Sequence, residues 1–228
     1  TKDYLRLINL PWSKRLRDRS FLEAEGTYLT AKTALNTGLA CHVGGGTHHA
    51  HYNYGFGFCV FNDLAYTAIN LIKDKLAKTV LILDLDVHQG DGTINICNKY
   101  PSIYTCSMHS ESNFPYDKKQ GWMDISLPSN IEDYEYLKKL EDILNTIQQQ
   151  VTPDIVLYDA GVDVFVDDKL GNLSLSFEGI KKRDDVVLDH YKKQHIPIAT
   201  VIGGGYSKDR RELAKRHSII FETAIKYL

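Results

Sequence analysis

The sequence predicts a single α/β domain: a parallel β-sheet with helices on both faces and its active site at the C-terminal ends of the strands. Three observations carry this reading. Aliphatic and β-branched runs such as TVLILDLD (79–86), DIVLYDAG (154–161) and IPIATVIGGG (196–205) are apolar almost throughout, as strands covered on both faces must be. Stretches with apolar residues at three- and four-residue spacing alternate with them, the βα order of a parallel sheet. Glycine, histidine and aspartate then collect where the runs end, and open parallel sheets build their sites beyond those ends.

In chain order, ACHVGG (40–45) is a first short strand candidate. Residues 62–77 place Leu64, Ala68, Leu71 and Ile72 on one helical face, before the run at 79–86. IYTCSMH (103–109) is a further strand, and 110–130, carrying Phe114, Pro115, Tyr116, Gly121 and Trp122, is expected to be a long functional loop. Leu137, Leu140, Leu144 and Ile147 define a helix over 134–151. Ser176 suits the N-cap of a helix running to about residue 194, and a last helix covers about 209–228.

The composition bounds the function. With 228 residues, 43% of them hydrophobic, the chain can bury one sizeable core. A net charge of −2 supplies no field for nucleic acid or an anionic membrane, so no direct nucleic-acid partner is expected. No run is long and apolar enough to span a bilayer, and the N-terminus lacks a signal-peptide pattern. Cysteines 41, 59, 97 and 106 form no CxxC pair, which favours reduced thiols in a cytoplasmic or, in a eukaryote, nuclear compartment. The chain starts at Thr1 without methionine, from which a further upstream part of the domain is expected.

DLDVHQGDG (84–92) follows directly on a strand, so Asp84, Asp86 and His88 share a face. Asp86 and His88, joined by Asp163 from DAGVDVF, could hold a divalent ion and leave a coordination position open for water and substrate. The adjacent His48 and His49 in GGGTHHA could then divide acid and base roles, with Asp84 and Asp91 taking an Nδ1–H from each ring. Tyr206, after the glycines of GGGY, could hydrogen-bond a developing oxyanion, and Phe58 and Phe114 could wall an apolar slot. His51, His109, His190, His195 and His217 are assigned structural roles, with His109 at a strand end that could reach the site wall.

Five motifs, GGTHHA, GFCVFND, DLDVHQGDG, AGVD and GGGY, stand in one order at domain-scale spacing, and together they resemble the zinc-dependent histone deacetylase family of the arginase/deacetylase fold. The resemblance runs from about residue 15 to 228 and is greatest to the class IV branch and its bacterial relatives, through LGNLSLSFEGIKKRD (170–184) among others. It implies one zinc ion on Asp86, His88 and Asp163, the catalytic pair His48 and His49 with partners Asp84 and Asp91, and Tyr206 as the transition-state phenol. Gly57, Phe58, Phe114 and Gly204 would line an acyl-lysine tunnel. A structural potassium ion would fall near Ser107 and Met108, beside the backbone of Asp84, Asp86 and His88. The family's rim aspartate has no counterpart here, and the loop after Pro115 lacks the glycine-rich turn of other classes.

The resulting expectation is a zinc hydrolase that removes acetyl or longer fatty acyl groups from the lysine side-chain amide of proteins or peptides. Three alternatives stand beside it: an acetylpolyamine or other small-amide amidohydrolase, a non-catalytic acyl-lysine binding module, and a binuclear manganese ureohydrolase. The last needs a carboxylate two residues after Asp163, where Phe165 stands. The residues leave the oligomeric state open.

Overall fold

The structure, a computed structural model, describes residues 2–228 and the side chains of residues 5–228. Two helices lead in, α1 (Lys2–Ile8) and α2 (Lys14–Thr37), the second capped by Ser13 and closed by left-handed Gly38. There follow β1 (Leu39–Cys41), α3 (Asp63–Lys73), β2 (Val80–Asp84), α4 (Asp91–Cys97), β3 (Ile103–Ser110) and β4 (Met123–Leu127). The chain continues through α5 (Asp133–Gln150), β5 (Ile155–Asp159), α6 (Phe177–Lys193), β6 (Ile198–Val201) and α7 (Arg210–Ala224), ending in a 3₁₀ turn. The six strands form one parallel sheet in the order β1-β6-β5-β2-β3-β4.

Alternation along each strand splits the core in two. Leu81, Leu83, Val156, Tyr158 and Ile198 face α5, α6 and α7, whereas Val80, Ile82, Ile155, Leu157 and Val201 face α2, α3 and α4. This double coverage explains the continuous apolar runs, since each fully buried aliphatic side chain contributes roughly 1.5–3 kcal/mol whichever face it occupies. It also leaves only the strand ends for chemistry.

One expectation changes, and one part of the chain carried none. The segment 110–130 is not loop throughout: Met123–Leu127 adds β4 as an edge strand beside β3. Its residues alternate between partly buried and exposed until Leu127, so the sequence shows no apolar run. The helices α1 and α2 before residue 40 carry no clear apolar periodicity. In α2 the buried side is made of small or polar residues (Ser20, Ala24, Thr27, Ala31, Ala34) with Tyr28, while Phe21, Leu22 and Leu29 are exposed. The hydrophobic pattern is inverted there, and a search for an apolar stripe passes over the helix. Among the described residues, no helix is long and apolar enough to cross a membrane.

Candidate active site

The strand ends bring the chemistry together in register. Asp84 is paired across β2–β5 with Asp159 and across β2–β3 with Ser107. Just beyond, Asp86 and His88 leave the end of β2 while Asp163 leaves the end of β5. His88 Nδ1 lies 3.0 Å from Asp86 Oδ1 and 3.1 Å from Asp163 Oδ2, and the three residues are 7% exposed or less.

These side chains converge on a point that a cation fits. Among the described residues Asp163 Oδ2 has no hydrogen-bond partner, although a buried carboxylate normally finds one. The other carboxylate oxygens are pinned by backbone: Val87 N–H donates to Asp163 Oδ1 at 2.9 Å and Gly204 N–H to Asp86 Oδ2 at 2.7 Å. Burial lowers the pKa of His88, but the adjacent carboxylates of Asp163 and Asp86 outweigh this and push it up to about 10. The pocket thus calls for positive charge. Gly204 belongs to the cradle, because a Cβ there would collide with the carboxylate oxygens of both Asp163 and Asp86. The donor set, one imidazole and two carboxylates within 4.8 Å, suits a borderline divalent ion such as zinc.

The turn after β1 delivers the histidine pair above this cluster. Asn62 donates to the carbonyls of His48 and Ala50, and the buried Asp63 accepts from Gly46 and Thr47 N–H and from the Thr27 hydroxyl, which fixes the turn. His48 Nδ1 lies 2.8 Å from Asp84 Oδ2 and His49 Nδ1 2.7 Å from Asp91 Oδ1. Their electrostatics diverge. Burial lowers the His48 pKa, but the charges of Asp84 and Asp86 prevail and hold it well above its usual value. Burial and the charge on His48 drive the His49 pKa down to about 3 against the pull of Asp91. One ring keeps its proton and the other keeps a free lone pair.

Tyr206 enters from the end of β6. Its N–H donates to Asp168 Oδ2 at 2.7 Å, and the fully buried Arg216 binds that same carboxylate oxygen at 2.9 Å and the Tyr206 carbonyl at 3.2 Å. Burial and the charges of Asp163 and Asp86 raise the pKa of the phenol, so it stays protonated. Gly57 and Phe58 both have positive φ and are held by hydrogen bonds to the carbonyls of Leu7 and Ile8 at the end of α1. Phe58 faces Tyr206 at 6.1 Å between ring centroids, and Phe114 meets His49 edge-on at 4.8 Å. These aromatics line a cavity of about 370 Å³ that reaches His49, His88 and Tyr206.

The family model of the histone deacetylase domain matches residues 6–222. The chain belongs to the histone deacetylase family. It is 46% identical over 219 residues to an uncharacterized protein of the cyanobacterium Picosynechococcus sp., covering 96% of this chain and 73% of that one. It is 33% identical to histone deacetylase 2 of Arabidopsis thaliana over 80% of its own length, but spans only 48% of that protein. The crystal structure of an HDAC homolog complexed with SAHA shares the fold, with a TM-score of 0.83 at 24% identity, covering 98% of this chain and 68% of that one.

Within this family member, two groups stand in the site that sequence reasoning did not place there. His51, assigned a structural role, directs Nε2 to the second oxygen of Asp91 at 3.0 Å. Asp159, wholly buried, lies 4.0 Å from His48 Nδ1, and neither of its oxygens has a hydrogen-bond partner among the described residues. Burial and the neighbouring Asp84 hold Asp159 well above the usual carboxylate range. The pattern Asp84–Asp159 was available only from sheet register, which the sequence does not give. Ser107 and Met108, named for a potassium ion, are buried beside Asp84 on β3, with the Ser107 hydroxyl hydrogen-bonded to His109 Nδ1 at 3.0 Å. His109 is wholly buried at the end of β3 rather than on the lining of the aromatic cavity.

Proposed function

We propose that the chain is a zinc-dependent amidohydrolase that removes acetyl or longer acyl groups from the lysine side-chain amide of proteins or peptides. The observation that carries this reading is the pairing of two adjacent imidazoles with separate carboxylates over a cluster of three converging side chains that could hold a metal ion. Membership of the histone deacetylase family and the aromatic-lined cavity support it.

Asp86, His88 and Asp163 would hold the ion. When bound, it supplies Lewis acidity to the amide carbonyl and lowers the cost of deprotonating water. The chain's own groups do the rest. Phe58 and Phe114 flank the slot that would take the uncharged acyl-lysine and exclude water from it. Neutral His49 accepts a proton at Nε2 from the attacking water, since its Nδ1–H is committed to Asp91. The Tyr206 hydroxyl donates to the developing oxyanion, and its raised pKa keeps that proton available. His49 then returns its proton to the departing lysine nitrogen while His48 stays an imidazolium, stabilising negative charge beside it. The products are a carboxylate and free lysine.

Turnover of the zinc-loaded chain on one peptide carrying acetyl-, octanoyl- or myristoyl-lysine, with acetylputrescine in parallel, tests the reading. Release from any acyl-lysine supports it, and the ranking of the three sets the chain-length preference. Release from acetylputrescine alone moves the substrate class to small amides; release from none overturns the hydrolase reading.

A further inference from the structure

The two oxygens of Asp91 serve different partners. Oδ1 takes His49 Nδ1 at 2.7 Å and Oδ2 takes His51 Nε2 at 3.0 Å, so one carboxylate bridges two imidazoles separated by a single residue. The His51 and Asp91 side chains are only 4% and 3% exposed, which shields both bonds from competing water. Burial raises the pKa of Asp91, but the hydrogen bond from His49 and the surrounding imidazoles outweigh it and hold Asp91 below the usual carboxylate range. An ionised carboxylate only accepts, so both rings must donate. Lys118 and Lys119, between β3 and β4, are further cations whose charge reaches Asp91. Both ammonium groups bond elsewhere, to the carbonyls of Asn113 and Pro115 and to Asp117.

His51 is itself held in place. Its ring stacks on Tyr54 at 4.5 Å with an interplanar angle of 17°, and its N–H closes a turn onto the Tyr54 carbonyl at 2.9 Å. A carboxylate with one hydrogen bond can rotate about its last side-chain torsion, whereas a second donor on the other oxygen fixes its plane. Fixing that plane fixes the tautomer and tilt of the ring on the first oxygen.

We propose that His51 is a positioning residue for His49: through Asp91 it keeps the His49 proton on Nδ1 and the Nε2 lone pair aimed into the cavity. The inference rests on the hydrolase reading in giving His49 the base role. His51 does not touch substrate, and its action is wholly through the shared carboxylate.

The test compares His51→Phe, which keeps a flat ring on Tyr54 but has no N–H, with His51→Gln, which restores a donor. Imidazole ¹⁵N NMR of the zinc-loaded chain reads the His49 tautomer without substrate, and steady-state kinetics reads kcat and KM on the best acyl-lysine peptide. The expected result is a His49 resonance in His51→Phe that shifts toward mixed tautomers, with kcat down about tenfold and KM little changed, as for other groups that orient a ligand or base. His51→Gln should recover most of both. If His51→Phe does not fold, His51→Leu removes the same donor. An unchanged His49 tautomer in a folded donor-less variant overturns the inference, as does a loss that appears only in KM. Absence of turnover in the wild type would instead overturn the hydrolase reading and leave the NMR comparison to decide the role of His51.

Discussion

His48 and His49 lie with ring centroids 4.2 Å apart, yet each turns Nδ1 to its own carboxylate, Asp84 for the first and Asp91 for the second. Two imidazoles this close repel when both are charged, and the difference in their surroundings resolves the conflict by protonating only His48. The roles are therefore not interchangeable. His49→Ala is expected to lower kcat by on the order of 10² or more, the usual range for an acid–base group, with the thermal midpoint little changed. Near-normal turnover in that variant would remove His49 from the base role.

Tyr206 differs from the histidines in that its proton must stay on. Tyr206→Phe deletes only the hydroxyl and keeps the ring facing Phe58 and His88. It should cost roughly 10²–10³ in kcat while leaving zinc content unchanged, as for a lost oxyanion donor. Metal analysis beside the kinetics separates this from damage to the ion site.

The sheet, and most of the residues that it gathers into the candidate site, were legible because their signals are local. Strands Val80–Asp84 and Ile155–Asp159 are buried along every residue, and the DLDVH and HH motifs sit beside the glycines that their close packing requires. What stayed hidden depends on distant partners. The buried stripe of α2 is built from Ala24, Ala31 and Ala34, whose small size the tertiary packing selects and no periodicity reveals. His51 differs from a structural histidine only in facing the second oxygen of Asp91, forty residues away in sequence. Asp159 reads as an ordinary strand end until the β2–β5 register sets it beside Asp84.

The thiol of Cys97, at the last residue of α4, ties stability to alkaline pH. Burial alone raises its pKa from 9.0 to about 12 in the folded chain. Because the folded value lies above the unfolded one, the contribution is fully present below pH 9.0 and is lost as pH rises from there to about 12. The difference corresponds to about 4 kcal/mol over that window. Cys97→Ala should be less stable than wild type at pH 7, from the lost packing in the cluster around α3, and its deficit should shrink above pH 9. Denaturant midpoints for both proteins at pH 7, 9 and 10.5 check this; parallel curves would mean that the thiol titrates alike folded and unfolded.

Removal of the ion should be felt in stability as well as in turnover. Asp163 Oδ2 is buried without a partner, and an ion bound only by the folded chain stabilises it by about 2.7 kcal/mol at a hundredfold excess over Kd. A chelator should therefore lower the thermal midpoint, and one equivalent of zinc should restore it. Gly204→Ala is the sharper probe. The added methyl meets the carboxylates of Asp163 and Asp86 but replaces no donor, so a loss of bound zinc in that variant arises from displaced ligand geometry alone. Its metal-free midpoint should lie within a few degrees of the metal-free wild type, while the gain on adding zinc should be largely abolished. If Gly204→Ala binds one zinc as tightly as wild type, the ion does not sit between Asp86 and Asp163.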